Sequence, residues 1–368
     1  MSTTTPAAAA SPAPPPSPAP APRWRTQLEE ALLPPLVAVL AAMVVGDLLI
    51  LSVGQSPADV YGMLLTGTWG NAYGFGQVLF KATTLIFTGL SVALALRAGL
   101  FNVGAEGQLA AGGFAAALAG WLLPAGTPWL LAVPLCIVAA GVGGGVVGVV
   151  PGVLRARFGA HEVIVTIMLN FIVLALLNYV VSAHLHVPET LHTPDIGGGV
   201  IPRFGGPFTG SAANASLFVA LLAAGLVWWY LFRTRRGYEL RAVGLQPDAA
   251  EYAGVRVGGV WVRAMAVSGV LAGLGGINYV LGYKHYYEEG FAGGAGFLGI
   301  AVALVGRNDP VGIVLAALFF ATLSQGGLAI NAVVPKQMVE VMQGVVILAV
   351  AVSVPEVRRL LRQQRRAA

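Results

Sequence analysis

Residues 139–152 read "AAGVGGGVVGVVPG", a stretch with no charged side chain and with glycines spaced three and four residues apart. A similar stretch, "SGVLAGLGG", occupies residues 268–276. In a helix this spacing places the small residues on one face, so that two helix backbones can approach closely. Such close approach matters most in a membrane, where hydrophobicity does not drive helices together. Both stretches therefore predict tightly packed membrane helices.

The composition of the whole chain supports this interpretation. Of its 368 residues, 57% are hydrophobic and only 10% are charged, and the mean hydropathy is +0.77. These values exclude a soluble domain and predict an all-α polytopic membrane protein. Cys136 is the single cysteine, which excludes an internal disulfide. The net charge of +5 does not indicate nucleic acid binding, because the basic residues lie in short loops between apolar spans.

Hydropathy predicts about ten transmembrane helices. Several of them are short or glycine-rich, above all the eighth, "GFAGGAGFLGIAVALVG" (290–306), which we expect to be tilted, broken or only partly spanning. The expected spans are 31–53, 78–96, 100–122, 129–150, 161–182, 214–232, 258–280, 291–306, 311–330 and 338–354.

The distribution of Lys and Arg predicts the orientation of these spans. When the connections are assigned alternately to two sides, one side collects 17 basic residues and the other collects 4, out of 21 in total. By the positive-inside rule, both termini are then cytoplasmic. Residues 1–28 are expected to be a disordered, Pro/Ala-rich tail without the features of a signal peptide. Residues 29–356 form the predicted transmembrane domain, and 357–368 form a basic cytoplasmic tail.

A polar loop at residues 233–257 interrupts the apolar sequence on the predicted cytoplasmic side. Within "GYELRAVGLQPDAAEYAGV" (237–255), Pro247 is expected to end one helix and to begin a short second one, with Asp248 in its first turn and Gly254 at its end. Small residues at Ala249, Ala250 and Gly254 would give this helix a flat face for a partner. The alternative interpretation is a solvated connector.

Four stretches carry a resemblance to a known family. They are "GLFNVGAEGQLAAGGF" (99–114), "HEVIVTIMLNFI" (161–172), "DAAEYAG" (248–254) and "GFLGIAVALVGRNDPVGIVLAAL" (296–318). Together they resemble, in order, the nucleoside-type branch of the bacterial ABC importer permeases that also serve simple sugars and branched-chain amino acids. The third stretch resembles the loop that docks the ATPase, with Asp248 where Glu is more usual. The family-motif positions in this chain are Asn102, Glu106, Gln108, Arg307 and Asn308.

The resemblance implies a permease subunit in a bacterial plasma membrane that carries nucleosides or related purine compounds, with simple sugars as the alternative substrates. It also implies a cytoplasmic ABC ATPase that binds the ATP, a second permease subunit that is related or identical, and an extracytoplasmic substrate-binding lipoprotein. Asp248, Ala249, Ala250 and Gly254 are the implied coupling residues. No cofactor and no catalytic residue are expected in the chain itself. Consistent with this, the sequence contains no G-x-x-x-x-G-K-[ST] motif.

Polar residues within the spans are candidates for the substrate pathway. Glu162, Thr166 and Asn170 recur every four residues and so share one helix face, which we predict lines the pathway for a neutral solute. Helix packing is the alternative for this stripe. Thr84, Thr88 and Ser91 form a similar stripe in the second span, and we expect these hydroxyls to bond carbonyl groups of their own helix.

Asn102 and Glu106 begin the third span. Asn is a common helix cap, and the Glu carboxylate complements the positive end of a helix. We therefore expect both residues to cap the helix in which they lie.

Two other functional classes compete with a permease. An intramembrane metalloprotease would need a second histidine four residues after His161, where the chain has Val165. His184, His186 and His192 have spacings that suggest zinc, but the loop lacks a convincing fourth ligand, and we expect no metal site. A gradient-driven carrier would need acidic residues deep in the membrane. Asp47 and Glu340 are poor candidates, because both are expected near a membrane surface.

Overall fold

The computed structural model describes residues 40, 43–124, 126–335, 337–345 and 347–349. Within these ranges the chain is helical, and β pairing is limited to the isolated bridges His192 with Glu288 and Arg203 with Asn214. The predicted all-α class is confirmed. Both predicted tails, 1–28 and 357–368, lie outside the described residues.

The helices follow one another with short connections, apart from a long segment, residues 186–215, between the sixth and seventh. A π-helical turn, Val181–Leu185, extends α6, another, Val280–Lys284, extends α11, and a 3₁₀ turn lies at Gly206–Phe208. The helices are α1 Met43–Ser52, α2 Pro57–Thr68, α3 Ala72–Arg97, α4 Ala105–Leu122, α5 Trp129–Phe158, α6 Glu162–Val180, α7 Ser216–Arg233, α8 Arg235–Leu245, α9 Pro247–Tyr252, α10 Val257–Leu274, α11 Gly276–Tyr279, α12 Ala295–Val305, α13 Pro310–Ala329 and α14 Gln337–Ala349.

In the described part of the chain, six helices are long and apolar enough to cross a membrane, or up to seven if α1 and α2 form one broken span. The axes of α1 and α2 differ by 109°. The eighth predicted span, expected to be irregular, contains only the 11 residues of α12. The predicted first and last spans extend beyond the described residues. A membrane protein of several spans is confirmed, whereas the count of ten stays a prediction.

Sequence reasoning missed helix α2. Its sequence, "PADVYGMLLTGT", starts with a proline at the first helical position, where the missing N–H costs nothing. The helix packs on α13: a Cβ on Gly67 would lie 2.5 Å from the Cβ of Ala329. The predicted spans 31–53 and 78–96 leave residues 54–77 between them as a connection, with no helix expected there.

The two glycine stretches that predict close packing meet each other. Helices α5 and α10 cross at a glycine seam formed by Gly144, Gly148, Gly269 and Gly273. A Cβ on Gly144 would lie 2.3 Å from the carbonyl oxygen of Gly269, and one on Gly273 would lie 2.4 Å from that of Ala140. No real Cβ tolerates such distances, so only glycine lets the two backbones touch.

The arginine-bearing helix ends lie together, as the charge distribution predicts. The Arg97 guanidinium donates through Nε to the carbonyl of Asn308, 3.0 Å away. Arg155 lies over the ring of Trp261. Arg263 pairs with Glu239 across 3.5 Å. The ends of α3, α5, α8, α10 and α12 therefore share one side of the protein.

Helices α4 and α12 begin in the interior, where their N-termini touch. The Asn102 amide donates to the Ser268 hydroxyl at 2.8 Å, and Ser268 lies roughly three turns into α10, about 16 Å along it. A Cβ on Gly296, at the start of α12, would lie 2.3 Å from the backbone nitrogen of Glu106. With 11 residues, α12 spans about 16 Å, roughly half of a bilayer core.

Candidate functional site

A cavity of about 270 Å³ lies beside the N-terminus of α12. Aromatic rings of Phe80, Tyr279 and Phe291 line it, and the Tyr279 and Phe291 ring centroids are 5.0 Å apart. The polar lining groups include Thr84, Lys81 and Ser324, and the Lys81 ammonium donates to the Ser324 hydroxyl at 3.2 Å. Flat rings with a few hydrogen-bonding groups suit a planar, largely neutral solute.

A second cavity of about 390 Å³ adjoins the first. Both are lined by Gly293, Gly294, Leu298 and Ser324, so they share one wall. The second cavity also contacts α14, through side chains that include Glu340 and Gln343. Glu340, which we expected near a surface, thus borders a cavity.

The shared wall includes Gly293 and Gly294, the last residues of segment 290–294, which we call the glycine loop. Gly290, Gly293 and Gly294 all have positive φ, at 75°, 54° and 83°. Just before the loop, Glu288 accepts a hydrogen bond from the hydroxyl of Tyr279. These backbone conformations are routine for glycine alone, which is why the loop can turn back into the interior before α12 begins.

His285 precedes this loop and is half-buried. Burial, followed by the nearby charge of Arg203, holds the pKa of His285 below its ordinary value.

The Thr84 stripe of α3 bonds mainly to other helices. The Thr84 hydroxyl accepts from the Asn278 amide at 2.9 Å and also lines the first cavity. Ser91 and Ser268 share a 2.9 Å hydrogen bond. Thr88 donates to its own helix at Thr84 and also to the Ala295 carbonyl, at 3.2 and 3.1 Å. The expectation that these hydroxyls serve only their own helix is wrong, because α10, α11 and α12 pack directly against them.

The α6 stripe faces the protein interior, as its spacing predicts. Glu162, Thr166 and Asn170 are 9%, 0% and 2% exposed. The Asn170 amide donates to the Val103 carbonyl at 2.8 Å, and its oxygen accepts from the Gly107 N–H at 2.9 Å. The stripe therefore packs on the start of α4 and does not line the two cavities. Its role in the pathway stays a prediction.

Asn102 and Gln108 form a compact polar cluster. Asn102 accepts from the Gly104 N–H at 2.9 Å and donates to the Gln108 side chain at 2.8 Å. The N-cap residue of α4 is Gly104, with no side-chain cap bond of its own. Asn102 thus holds the turn that leads into α4.

Glu106 caps a different helix from the one we expected. Its two carboxylate oxygens accept from the N–H groups of Gly294 and Gly296, at 2.8 and 2.7 Å. Both donors belong to the start of α12, and Glu106 is only 6% exposed. Glu106 does lie in the first turn of α4, as expected, but its hydrogen bonds go to α12, because the first turns of α4 and α12 cross at this point.

Arg307 and Asn308 form the turn between α12 and α13. Both have left-handed backbone conformations, with φ of 58° and 54°. Asp309 follows and caps α13 by accepting from the N–H groups of Val311 and Gly312. These two motif positions shape a turn at the arginine-bearing side, away from the cavities.

Helix α9 has the form that the sequence predicts: Pro247 is its first residue, Asp248 lies in its first turn, and Gly254 follows its end with φ 84°. Asp248, Ala249 and Gly254 are exposed. Ala250 is 4% exposed and belongs to the chain's own core, so it does not share the outer face as expected.

Two large side chains that sequence reasoning missed flank this face. Leu245 is 85% exposed and Tyr252 is 95% exposed. We define the α9 surface as Leu245, Asp248, Ala249, Tyr252 and Gly254.

His184, His186 and His192, at the end of α6 and in the segment that follows, show no metal-binding arrangement. The His192 ring stacks on Tyr286 at a centroid distance of 4.1 Å, and its Nδ1 lies 2.8 Å from the Thr193 carbonyl. Over the ranges that the structure describes, no group of three His, Cys, Asp or Glu side chains is placed to hold a metal ion.

Comparison with known proteins relates this architecture to a family. The family model described as "Branched-chain amino acid transport system / permease component" matches residues 74–351. The chain belongs to this permease family. All the cavity-lining residues named above lie within the matched range, as does the α9 surface.

Three relatives show which branch of the family is similar. The guanosine ABC transporter permease protein NupP of Bacillus subtilis is 39% identical over 88% of this chain and 93% of its own length. The nucleoside ABC transporter permease protein NupB of Lactococcus lactis is 35% identical, covering 87% and 90%. The glucose ABC transporter permease protein TsgB13 of Haloferax volcanii is 35% identical, covering 85% of each. The resemblance to ABC importer permeases is confirmed.

Proposed function

We propose that this permease forms the transmembrane pathway of an ABC importer for nucleosides or related purine compounds in the plasma membrane. The observation that carries the proposal is the similarity to a guanosine permease along nearly the whole chain. The first cavity supports it, because Phe80, Tyr279 and Phe291 offer flat faces for a nucleobase, while Thr84 and Ser324 offer hydrogen bonds for a ribose.

The pathway in this proposal runs along the glycine loop. Both cavities meet there. The first is mostly apolar, the second is more polar, and both have few charged groups, which suits a neutral solute that must be released again. The α6 stripe of Glu162, Thr166 and Asn170 is the alternative route, and it would require helices α4 and α6 to separate.

The proposed energy source is a cytoplasmic ATPase that docks on the α9 surface and binds the ATP. Leu245 and Tyr252 provide apolar anchors on either side of Asp248 and Ala249. ATP binding and hydrolysis would move α9, and Ala250, packed in the core, would transmit that movement to the spanning helices. A substrate-binding lipoprotein delivers the solute, and a second permease subunit, related or identical, completes the pathway. The chain itself performs no covalent chemistry in this scheme.

The proposed topology has ten spans, with both termini and the 233–257 loop in the cytoplasm. Single cysteines at Leu191 and Gln246, in a Cys136→Ala background, test it, because both positions are exposed. We expect an impermeant thiol reagent to label only the Leu191 variant in intact cells. Labelling of the Gln246 variant would contradict the orientation.

Uptake measurements test the substrate and the energy source. The full permease, reconstituted with its ATPase and binding protein, is expected to import radiolabelled guanosine when ATP is supplied, and to continue when ionophores collapse ion gradients. Glucose uptake in place of guanosine uptake would favour a sugar permease, the function named for the Haloferax relative. Uptake that ionophores abolish and ATP does not affect would favour a gradient-driven carrier.

A further inference from the structure

The Glu106 carboxylate lies where the two cavities share a wall. It is 6% exposed, and each oxygen accepts a short hydrogen bond from the start of α12, at Gly294 N–H and Gly296 N–H. Distances of 2.8 and 2.7 Å are typical of charge-assisted bonds, which are stronger than neutral ones. The first turn of a helix carries positive partial charge, so the N-terminus of α12 stabilises the buried carboxylate of Glu106.

The glycines of the segment that Glu106 holds are not packed by neighbours. Gly290, Gly293 and Gly294 have positive φ, and a Cβ at Gly290 or Gly294 would meet nothing within 4 Å. Backbone of this kind has many accessible conformations. The Phe291 ring packs on Tyr279 in the middle of the loop, and at the inner end the carboxylate of Glu106 holds the backbone N–H groups.

We infer that Glu106 is a positioning residue for transport: its carboxylate fixes the N-terminus of α12, and thereby the glycine loop, as the wall that both cavities share. This inference rests on the proposed function. It assigns Glu106 a role in shaping the pathway, through α12, without contact with the solute.

Substitutions at Glu106 separate this role from a general need for a buried polar group. Glu106→Gln has the same size, but it places an NH₂ group opposite one of two N–H donors, so one hydrogen bond is replaced by a repulsive contact. Glu106→Asp keeps the negative charge, but its side chain is one methylene shorter. Thr83→Val is the matched control, because Thr83 is buried and its hydroxyl bonds only its own helix, at the Leu79 carbonyl.

The experiment uses the full complex with its ATPase and binding protein. Uptake is measured in the parent permease, which keeps Ser324, and labelling is measured in a Cys136→Ala, Ser324→Cys background. Ser324 lines both cavities from α13, opposite the loop. Two quantities are measured: the maximum rate of radiolabelled guanosine uptake, and the rate at which a membrane-permeant maleimide labels the new cysteine. Membrane insertion and ATPase co-purification are measured alongside.

We expect Glu106→Gln to insert and bind the ATPase normally, to lose about ten-fold in maximum uptake rate, and to label several-fold faster, as loss of positioning implies. Glu106→Asp should be intermediate in both, and Thr83→Val should match the parent. The inference would be overturned if Glu106→Gln took up guanosine at the parental rate. It would also be overturned if this variant lost uptake while its labelling rate stayed at the parental value.

If Glu106→Gln fails to insert, Glu106→Asp decides, and parental values for uptake and labelling in that variant would overturn the inference. The labelling comparison needs no substrate. If the parent takes up no guanosine, the proposed function fails, whereas the effect of Glu106 on the wall is still measured by labelling.

Discussion

Two glycine-rich regions of this permease use glycine for opposite reasons. In the glycine seam, a Cβ on Gly144 or Gly269 would lie 2.3 or 2.4 Å from a backbone oxygen of the facing helix. In the glycine loop, Gly290 and Gly294 have nothing within 4 Å of that position, and their positive φ is what requires glycine. One region needs the absence of a side chain, and the other needs backbone freedom.

The difference indicates how the protein divides rigidity and movement. The seam joins α5 and α10 by direct backbone contact, which leaves no space for rearrangement. The glycines of the loop have open space beside them, and the loop is held by Glu288, by the packing of Phe291 on Tyr279 and by Glu106. We therefore expect the seam to set stability and the loop to set transport rate.

The largest effect is expected in the seam. Gly144→Ala should destabilise the protein by at least about 3 kcal/mol, the upper end of overpacking costs, because the new methyl group collides with backbone that cannot turn aside. Gly225→Ala, in α7 with nothing within 4 Å, should be neutral or slightly stabilising. Thermal unfolding of the purified permease measures both. If Gly144→Ala and Gly225→Ala unfolded at the same temperature, the conclusion that the seam is the rigid region would be wrong.

The second effect concerns a buried polar group outside both glycine regions. Asn170→Leu removes the partners of the Val103 carbonyl and the Gly107 N–H, and each buried unpaired group costs about 1–3 kcal/mol. We expect a lower unfolding temperature with retained uptake per folded permease. Unchanged stability together with lost uptake would instead favour the α6 stripe as the pathway.

In the glycine loop the expected stability effect is smaller. Gly294→Val forces a β-branched residue to φ 83°, at a cost of about 1–2 kcal/mol. Gly294→Asn should cost less, because Asn tolerates this conformation and is a favourable residue at the start of a helix. Guanosine uptake should fall more in the Val variant than in the Asn variant, although both insert normally. Equal guanosine uptake by Gly294→Val, Gly294→Asn and the parent would show that the loop conformation does not affect transport.

The smallest stability effect is expected at the α9 surface. Tyr252→Ala removes a side chain that is 95% exposed, so the free energy of unfolding should change by less than about 0.5 kcal/mol. The amount of ATPase recovered with the permease should nevertheless fall several-fold. Tyr73→Ala, which removes another exposed tyrosine from the start of α3, is the control. Full ATPase recovery with Tyr252→Ala would argue that coupling occurs elsewhere.

Much of the fold could be predicted, because membrane helices carry strong local signals. Apolar length identifies spans such as α5 and α13, arginines identify the side at which helix ends meet, and Pro247 with Gly254 marks the short helix α9. Helix α2 was missed because its length and composition do not suffice for a span, and its position depends on α13.

The candidate site was harder to predict, because it depends on which helices touch. Spacing correctly placed Glu162, Thr166 and Asn170 on one buried face, but it could not show that α4 covers this face. Glu106 lies in α4, yet it binds α12, 188 residues further along at Gly294. Ala250 and Ala249 are neighbours in sequence, and only the fold shows that one is buried and the other exposed.

The most direct test of the account is substrate protection of the cavity wall. Leu298 lines both cavities, whereas Thr166 lies in the α6 stripe, so single cysteines at these positions compare the two routes in the reconstituted, ATP-supplied complex. We expect guanosine in excess to slow maleimide labelling at residue 298 several-fold, whereas residue 166, which is 0% exposed, should stay unlabelled with or without guanosine. Protection at residue 166 alone would contradict a pathway along the glycine loop.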